Sequence, residues 1–497
     1  MSSQPQNNSP KSAGEELREF VEKEELRNKK NKLKNKSVII TSVAMVLIFT
    51  CMIVYLCRFM IKDSYALAVD SSNVRSASLT ENVVRGSILS DDGTVLAETL
   101  SGTRNYPYEG TFAHAVGYAS NGGSGIELMC EELLLNTHIN PLKKVYNELK
   151  GEKNPGDSVV TTLNIPLQRA IEEAMSGASG AAVVIEPSTG KILAMYSNPG
   201  FNPNTIDAEW ESLVSDTSSS VLLNRATQGL YAPGSTFKVV AALEYMKEYP
   251  DEYDSYTFTC GGTDIYNSVS IRCSNGKAHG ELNLTKSLAV SCNNSFANIG
   301  VNYLSMVGLR SMCDTLLFNS ELPYDGEYSE SSFVLDGSTD VNQIPQTIIG
   351  QGDTLITPLH NAMIMCAIAN GGILMKPTFV SEVVSSEGIT IKEYSATEYG
   401  EIISPELCTQ IIPMLTEVVQ SGTASSQLSG QSYTAAGKTG TAETDNSGST
   451  NSWFSGFSNV EDPDIVVSVI VEDYSSNGIS GAYVARCIFD AYYSSIE

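Results

Sequence analysis

The sequence predicts an α+β fold, with a small β-rich module in front of it and one membrane-spanning helix near the N-terminus. Three observations lead to this prediction. A run of twenty residues without charge, 38–57, is long enough to cross a bilayer. Strand-like segments at 180–195 and 453–471 lie on either side of a region of helical periodicity. A polar stretch with Pro and Gly at 151–157 separates this larger region from the shorter one before it.

The composition is that of an acidic globular protein. The chain has 497 residues, of which 42% are hydrophobic and 18% are charged. Lys and Arg total 31 against 57 Asp and Glu, which gives a formal net charge of -26. Binding to nucleic acid depends on clustered cations, so this charge balance argues against a nucleic-acid partner.

The N-terminal segment is predicted to be a tail followed by a membrane anchor. Residues 1–36 hold nine Lys or Arg against six Glu, and five of the lysines lie directly before the apolar run. Because basic residues stay on the cytoplasmic side, we expect 1–36 to be a cytoplasmic tail and 37–61 the transmembrane helix, with the rest of the chain extracytoplasmic. A cleaved signal peptide is the alternative, since 66–68 (Ala-Leu-Ala) offers a cleavage site. Signal peptides have shorter apolar runs, so we favour an uncleaved single-pass anchor in a cell membrane.

The membrane-proximal module is predicted to span 62–157. Segments at 85–89 and 94–97 are predicted strands, because the Asp-Gly turn between them tolerates the positive φ of a tight hairpin. A turn-rich stretch then leads into a predicted helix from Ile126 to about Leu135.

The larger domain is predicted to span 158–497. Strands and a helix at its ends enclose a helical middle, which favours an α+β arrangement. The predicted elements are a strand at 158–163, a helix at 166–175, a hairpin of 180–185 with 191–195, strands at 453–457 and 465–471, and a closing helix at 482–493.

Common hydrolase, nucleotide and metal motifs are absent. The sequence contains no HExxH, no GxSxG and no CxxC. The segment 437–439 (Gly-Lys-Thr) is not a phosphate loop, because the first glycine of that motif would fall on Ser432. No metal and no organic cofactor is therefore expected.

The ten cysteines are expected to be mostly buried small apolar residues. The eight outside the predicted membrane helix are scattered without the spacing of zinc ligands, so a zinc site is not expected. Cys260 and Cys273 are close enough in sequence to suggest a disulfide in an oxidising compartment. Sequence alone does not show whether their Cβ atoms meet.

Ser, Lys, Asn and Thr residues form three candidate motifs for acyl transfer without histidine. Ser235 and Lys238 stand at the start of an apolar helical run, one turn apart and on one face. A lysine takes a proton from a serine only when its own pKa is lowered toward the working pH. The pattern SxxK also occurs at Ser188 and Ser274, but in turn-like segments where the two side chains have no reason to converge.

The order and context of the motifs identify a family. SxxK at 235 is followed by SxN at 291 and by KTG at 438, which occurs once. The chain resembles the class B, or monofunctional, penicillin-binding proteins, the bacterial cell-wall transpeptidases. Further matching segments are 225–234, 279–280, 350–352, 357–358, 422–424 and 453–454. The resemblance covers essentially 85–497 and implies their transpeptidase fold, an antiparallel sheet flanked by helices.

The resemblance implies a role for each motif residue. Ser235 would be the nucleophile and Lys238 its base, while Ser291 and Lys438 would relay a proton to the leaving group. The implied substrate-binding residues are Asn293, Thr439, Gly440 and Thr441. Peptidoglycan stem peptides would be the substrate, β-lactams would acylate Ser235, and a polytopic membrane glycan polymerase would be the partner.

One departure from the family pattern lies in the module. Arg85 and Gly86 match the membrane-proximal motif, but Ser90 and Asp91 stand where an Asp-Arg pair is usual. Any ion pair made there is therefore in doubt.

Four other functions are compatible with parts of the pattern. A β-lactamase would need a deacylating carboxylate, and the ExxLN match at 132–136 lies upstream of Ser235 instead of between SxN and KTG. A D,D-carboxypeptidase uses the same residues with water as acceptor. A β-lactam sensor would need a cytoplasmic effector larger than a 36-residue tail, and a silent scaffold would not need an intact set of motifs.

Overall fold

The computed structural model describes residues 13–62, 82–217, 219–444 and 449–496. The chain divides into two compact units, 1–73 and 74–497. The proposed signal-peptide cleavage site at 66–68 lies outside the described residues.

The first unit contains one long helix. Helix α1, Ala13–Lys62, is continuous over 50 residues. Within it Val38–Tyr55 has a mean hydropathy of 2.6 and is entirely exposed, so by length and composition it fits a membrane-spanning segment. The helix also extends into the basic tail, for which the sequence predicted no structure.

The second unit alternates helices and strands. Its strands are β1 Val83–Val84, β2 Ile88–Leu89, β3 Val95–Leu100, β4 Thr103–Asn105, β5 Asn154–Pro155, β6 Ser158–Thr161, β7 Gly180–Ile185, β8 Ile192–Asn198, β9 Phe258–Cys260, β10 Thr263–Tyr266, β11 Val269–Arg272, β12 Gly280–Leu282, β13 Ile373–Met375, β14 Val380–Val384, β15 Thr390–Glu393, β16 Glu398–Glu401, β17 Ala435–Glu443, β18 Thr450–Ser458 and β19 Val466–Val471. Its helices are α2 Ala113–Val116, α3 Gly125–Met129, α4 Glu131–Leu134, α5 Pro141–Lys150, α6 Ile165–Ala174, α7 Ile206–Ser215, α8 Lys238–Glu248, α9 Leu284–Ala289, α10 Asn293–Asn302, α11 Met306–Thr315, α12 Ile344–Ile348, α13 Pro358–Ala369, α14 Pro405–Gln420, α15 Ser425–Leu428, α16 Tyr474–Asn477 and α17 Gly481–Ile496.

A five-stranded antiparallel sheet forms the centre of the second unit. Its strand order is β17-β18-β19-β7-β8, so the two hairpins predicted from the ends of the domain meet in one sheet. Every residue of β7 and β19 is buried, which explains their continuous apolar sequences. Helix α13 packs on β7, β18 and β19, and α17 packs on β18, β19 and α6. The predicted α+β class is confirmed.

A second, six-stranded sheet crosses the predicted boundary between module and domain. Its order is β15-β14-β6-β2-β3-β4. Strand β6 pairs in parallel with β2 from the module and antiparallel with β14 from the larger domain. The predicted boundary after residue 157 therefore lies just before a strand that joins the two regions.

A buried ion-pair cluster holds the module together. The Glu127 side chain is fully buried, and its carboxylate accepts hydrogen bonds from Arg85 Nε at 2.6 Å and Arg104 Nε at 2.7 Å. Asp91 instead accepts a hydrogen bond from Asn164 Nδ2 at 2.8 Å. The partner of the motif arginine is thus a glutamate about forty residues downstream, and no signal in the motif itself indicated it.

Candidate active site

The segment around Ser235 forms a tight turn that leads into a buried helix. Gly234–Phe237 is a 3-10 turn, and α8 begins at Lys238. Phe237 stacks on Phe333 with ring centroids 5.6 Å apart, which anchors the turn to the core. Ser235 remains partly exposed, whereas Lys238, one turn on, is fully buried. The predicted helix start is confirmed.

The Lys238 amine is directed at the SxN segment. Its Nζ donates to Asn293 Oδ1 at 2.6 Å, to the Ser291 carbonyl oxygen at 2.9 Å and to Ser291 Oγ at 3.2 Å. The structure thus brings the first two motifs together. These three oxygens hold the amine beside the Ser235 turn without a carboxylate partner.

Ser291 adopts a backbone conformation that few side chains accept. It links α9 to α10 with φ of 55°, a left-handed value that costs free energy in a non-glycine residue. The next residue, Cys292, caps the N-terminus of α10 by accepting a hydrogen bond from the Ser295 amide, which fixes the chain directly after Ser291. The result is that Ser291 Oγ points between two lysines.

The third motif lies on strand β17. Lys438 is fully buried, and its Nζ donates to Ser291 Oγ at 3.0 Å and to the Thr439 carbonyl oxygen at 2.9 Å. Thr439 is partly exposed and its hydroxyl contacts that of Thr423. Gly440 is buried and Thr441 is exposed further along the same strand. Alternation along a strand therefore buries Lys438 while leaving Thr439 and Thr441 accessible to a ligand.

The two buried amines have lowered proton affinity. Burial lowers the pKa of Lys238 to about 7, because removal from water penalises the ammonium form. Burial also lowers the pKa of Lys438, and the nearby charge of Lys238 lowers it further. At neutral pH a substantial fraction of Lys238 is therefore a neutral amine that can accept a proton, as the proposed base requires.

We expect acylation by benzylpenicillin to speed up as pH rises through about 7, where Lys238 loses its proton. The sign follows because the neutral amine is the active form of a base, and its fraction grows with pH. Stopped-flow or quenched acylation of the full-length chain between about pH 5.5 and 8.5 measures this dependence. A rate that stays flat or falls across the range would contradict the assignment.

Two glycines allow the nucleophile turn to approach a neighbouring loop. The Gly234 amide donates to the Gly350 carbonyl oxygen at 2.9 Å. Gly350 has φ of +80°, and a Cβ built on it would lie 1.7 Å from the Gly234 carbonyl oxygen. Only glycine fits this contact.

Gly350→Ala should destabilise the protein by about 3 kcal/mol or more, since it adds a backbone clash to the cost of a positive φ. Gly388 is the matched control: its φ is +77° and a Cβ there would meet nothing within 4 Å. Gly388→Ala should cost only about 1 kcal/mol. Thermal unfolding of both variants checks the difference, and equal losses would show that the clash is relieved.

Some residues that shape the site have no signal in the sequence. Gly350 lies in a segment that matches the family, but nothing in the sequence indicates its contact with Gly234. The Arg272 carbonyl oxygen accepts a hydrogen bond from Asn293 Nδ2 at 2.8 Å, which orients the amide of the SxN motif. No side-chain pattern could have indicated Arg272, because its contribution comes from the backbone.

The cysteines depart from expectation in one region. Cys130, Cys313, Cys366 and Cys408 are buried, as predicted. Cys260 and Cys273 are free thiols with their sulfurs 3.7 Å apart, so the suggested disulfide is wrong in this structure. Both lie within a cluster with His279 and Cys292, although nothing in the sequence spacing indicated that these residues would meet.

Comparison with known proteins gives consistent matches over most of the chain. A family model described as the penicillin binding protein transpeptidase domain matches residues 180–491. A second model, the penicillin binding protein A dimerisation domain, matches residues 85–159. Peptidoglycan D,D-transpeptidase PbpA of Mycolicibacterium smegmatis is 29% identical over 398 residues, which cover 74% of this chain and 79% of that protein.

Solved structures agree with these matches. Penicillin-binding protein A from M. tuberculosis, in its imipenem acyl-enzyme complex, is 26% identical with a TM-score of 0.75, covering 84% of this chain and 99% of that one. The D,D-transpeptidase domain of a peptidoglycan glycosyltransferase from Eggerthella lenta is 31% identical with a TM-score of 0.72, covering 83% of this chain and 98% of that one. With its three motifs assembled around Ser291, the chain belongs to the penicillin-binding protein transpeptidase family, in its class B group.

Proposed function

We propose that the chain is a peptidoglycan D,D-transpeptidase that crosslinks stem peptides through an acyl-enzyme on Ser235. One observation carries the assignment of the residues: two fully buried lysines, Lys238 and Lys438, both donate hydrogen bonds to Ser291 Oγ beside the Ser235 turn. This arrangement can take a proton from a serine and deliver it to a leaving amine without histidine.

The chemistry begins at the donor peptide. Ser235 attacks the carbonyl carbon of the penultimate D-Ala, and Lys238 accepts its proton. The backbone amides of Ser235 and Thr441 stabilise the oxyanion. Ser291, supported by Lys438, passes a proton to the departing D-Ala.

Substrate binding and the second half of the reaction involve the remaining motif residues. Asn293 holds the donor amide, and Thr439, with Gly440 and Thr441 on the same strand, binds the terminal carboxylate. An amine from a second stem peptide then attacks the acyl-enzyme and forms the crosslink. A β-lactam resembles the donor and leaves Ser235 acylated, as imipenem does in the M. tuberculosis relative.

The test is a product analysis. The full-length chain in detergent is incubated with uncrosslinked glycan strands that carry pentapeptides, and the digest is analysed by mass spectrometry. Crosslinked dimers are expected. Release of D-Ala without dimers would identify a carboxypeptidase, and the absence of both products would contradict acyl transfer.

We place the enzyme in the bacterial cell membrane with its N-terminus in the cytoplasm. Helix α1 is long and apolar enough over Val38–Tyr55 to cross once, and the basic residues before it favour this orientation. Protease added to intact spheroplasts should digest the catalytic region and leave a tagged tail protected. Protection of the catalytic region from the protease would show the opposite orientation, with the catalytic region in the cytoplasm.

The proposed partner is a polytopic glycan polymerase, and α5 is the surface that we assign to it. This helix of the module buries none of its residues. Leu142, Val145, Tyr146 and Leu149 are 53–83% exposed and lie on one face at i, i+3, i+4 and i+7 spacing. A helix with an apolar stripe in the module that follows the anchor suits a membrane-embedded partner.

Co-purification from bacterial membranes tests the partner. Leu142→Glu combined with Leu149→Glu in the full chain should abolish recovery of the polymerase. Val307→Glu is the control, because Val307 is 70% exposed on α11 of the catalytic region. Unchanged recovery with the double variant would remove α5 from the interface.

A further inference from the structure

Four potential metal ligands converge behind the SxN motif. Cys260 ends strand β9, Cys273 follows β11, His279 precedes β12 and Cys292 caps α10. Their ligand atoms all lie within 4.8 Å of one another. The three cysteines are at most 2% exposed and the histidine is partly exposed.

The spacing of these atoms is that of a tetrahedral site. Two sulfurs bonded to one zinc ion at about 2.3 Å are held about 3.8 Å apart. The Cys260 and Cys273 sulfurs are 3.7 Å apart, and the Cys273 and Cys292 sulfurs are 3.8 Å apart. His279 Nδ1 lies 3.5 Å from the Cys260 sulfur. Three sulfurs and one imidazole nitrogen form a standard structural zinc set.

Two hydrogen-bond donors are directed at sulfurs of the cluster. The Ser295 amide donates to the Cys292 sulfur at 3.4 Å, and Asn294 Nδ2 donates to the Cys273 sulfur at 3.5 Å. A disulfide cannot account for the cluster, because it would join two sulfurs and leave the third cysteine and the histidine unused.

The fold around the cluster has a small apolar core of its own. The cluster ties together two separate two-stranded ribbons, β9 with β12 and β10 with β11. Tyr266 and Ile271 attach the second ribbon to the main core, but the hydrophobic cluster around the three cysteines contains only one further buried side chain, Leu282, among the described residues. Two-stranded ribbons contribute little stability by themselves, and small elements of this kind are commonly held by a metal or a disulfide.

We propose that Cys260, Cys273, His279 and Cys292 bind one zinc ion that fixes the SxN motif in place. Cys292 is the middle residue of that motif, between Ser291 and Asn293, which both accept hydrogen bonds from Lys238. Zinc bound to Cys292 attaches the strained Ser291 segment to the two ribbons. The four residues are positioning residues, and the metal takes no part in the chemical steps. The proposal departs from the expectation, drawn from sequence spacing, that no zinc site exists.

Metal content tests the proposal independently of activity. The full-length chain is purified in detergent with reductant and zinc, dialysed against metal-free buffer and analysed by plasma mass spectrometry. One zinc per chain is expected for the wild type. His279→Ala should lose it, whereas His279→Cys should keep it, because four cysteines form an equally good set. Cys366→Ala, a buried cysteine outside the cluster, should retain zinc.

A second measurement connects the metal to the active site. Removal of zinc by a chelator should lower the thermal midpoint and slow acylation by benzylpenicillin at least tenfold, and added zinc should restore both. Cobalt in place of zinc should give the intense thiolate-to-metal absorption of a tetrahedral site. The proposal is overturned by zinc-free wild type, by iron in place of zinc, by a Cys260–Cys273 disulfide in the purified chain, or by zinc retained in His279→Ala with unchanged acylation after chelation.

Discussion

Ser235→Ala is expected to abolish covalent labelling by benzylpenicillin. Full-length wild type should gain the whole mass of the antibiotic once, because opening the β-lactam ring expels no group. The variant should gain nothing, since loss of a nucleophilic serine reduces turnover by about 10⁶-fold in serine hydrolases. Intact mass spectrometry after incubation with excess antibiotic makes the measurement.

The chain supplies a matched control for this variant. Ser188 also begins an SxxK sequence, but it is exposed in the turn between β7 and β8. Ser188→Ala should label like the wild type. Labelling of Ser235→Ala would show that another residue is the nucleophile. A wild type that is folded yet unlabelled would favour the scaffold function. An adduct that forms and then disappears quickly would favour hydrolysis.

Lys238→Met is expected to slow acylation by about 10²–10⁴-fold, the usual contribution of a positioned base. Methionine is close to lysine in length and carries no charge, so it removes the base while filling the same buried space. The remaining activity should no longer rise with pH through about 7. Because an amine buried without a carboxylate is costly, the variant should be at least as thermally stable as the wild type.

The control for this variant is Lys191→Met, which changes the lysine of the SxxK sequence in the β7–β8 turn. Lys191 is exposed, and its ion pair with Glu186 is long at 4.0 Å and contributes little stability. Its loss should therefore leave acylation unchanged. Rates of acylation and thermal midpoints are measured for both variants. A Lys238→Met enzyme that acylates at the normal rate would assign the base to another group.

Motif order and local turn chemistry made much of the fold and site predictable. Strand β7 has no polar side chain and β19 is interrupted only by Ser468, and the Pro-Ser-Thr-Gly turn at 187–190 marks the end of β7. Ser235 and Lys238 were predictable as a pair because a helix places residues three apart on one face. The structure adds the contacts between motifs that are 56 and 147 residues apart.

The features that the sequence could not predict depend on contacts between distant parts of the chain. Strand β6 pairs with β2 and also with β14, which lies more than two hundred residues after β6 in the chain. No local pattern specifies such a partner. The convergence of Cys260, Cys273, His279 and Cys292 is of the same kind. Each lies at the end of a short element, so spacing along the chain bears no relation to spacing in the fold.

The shared six-stranded sheet has a mechanical consequence. Near the start of β14, the Thr378 amide donates to the Gly190 carbonyl oxygen and the Ile192 amide donates to the Thr378 carbonyl oxygen, both at 2.9 Å. One backbone bridge, between Lys191 and Thr378, thus links the six-stranded sheet to the five-stranded sheet. A displacement of the module would therefore be transmitted to the catalytic sheet through paired backbone. Module and catalytic region should accordingly melt in one cooperative transition, and a regulator bound to the module would act by tilting or straining a single rigid body.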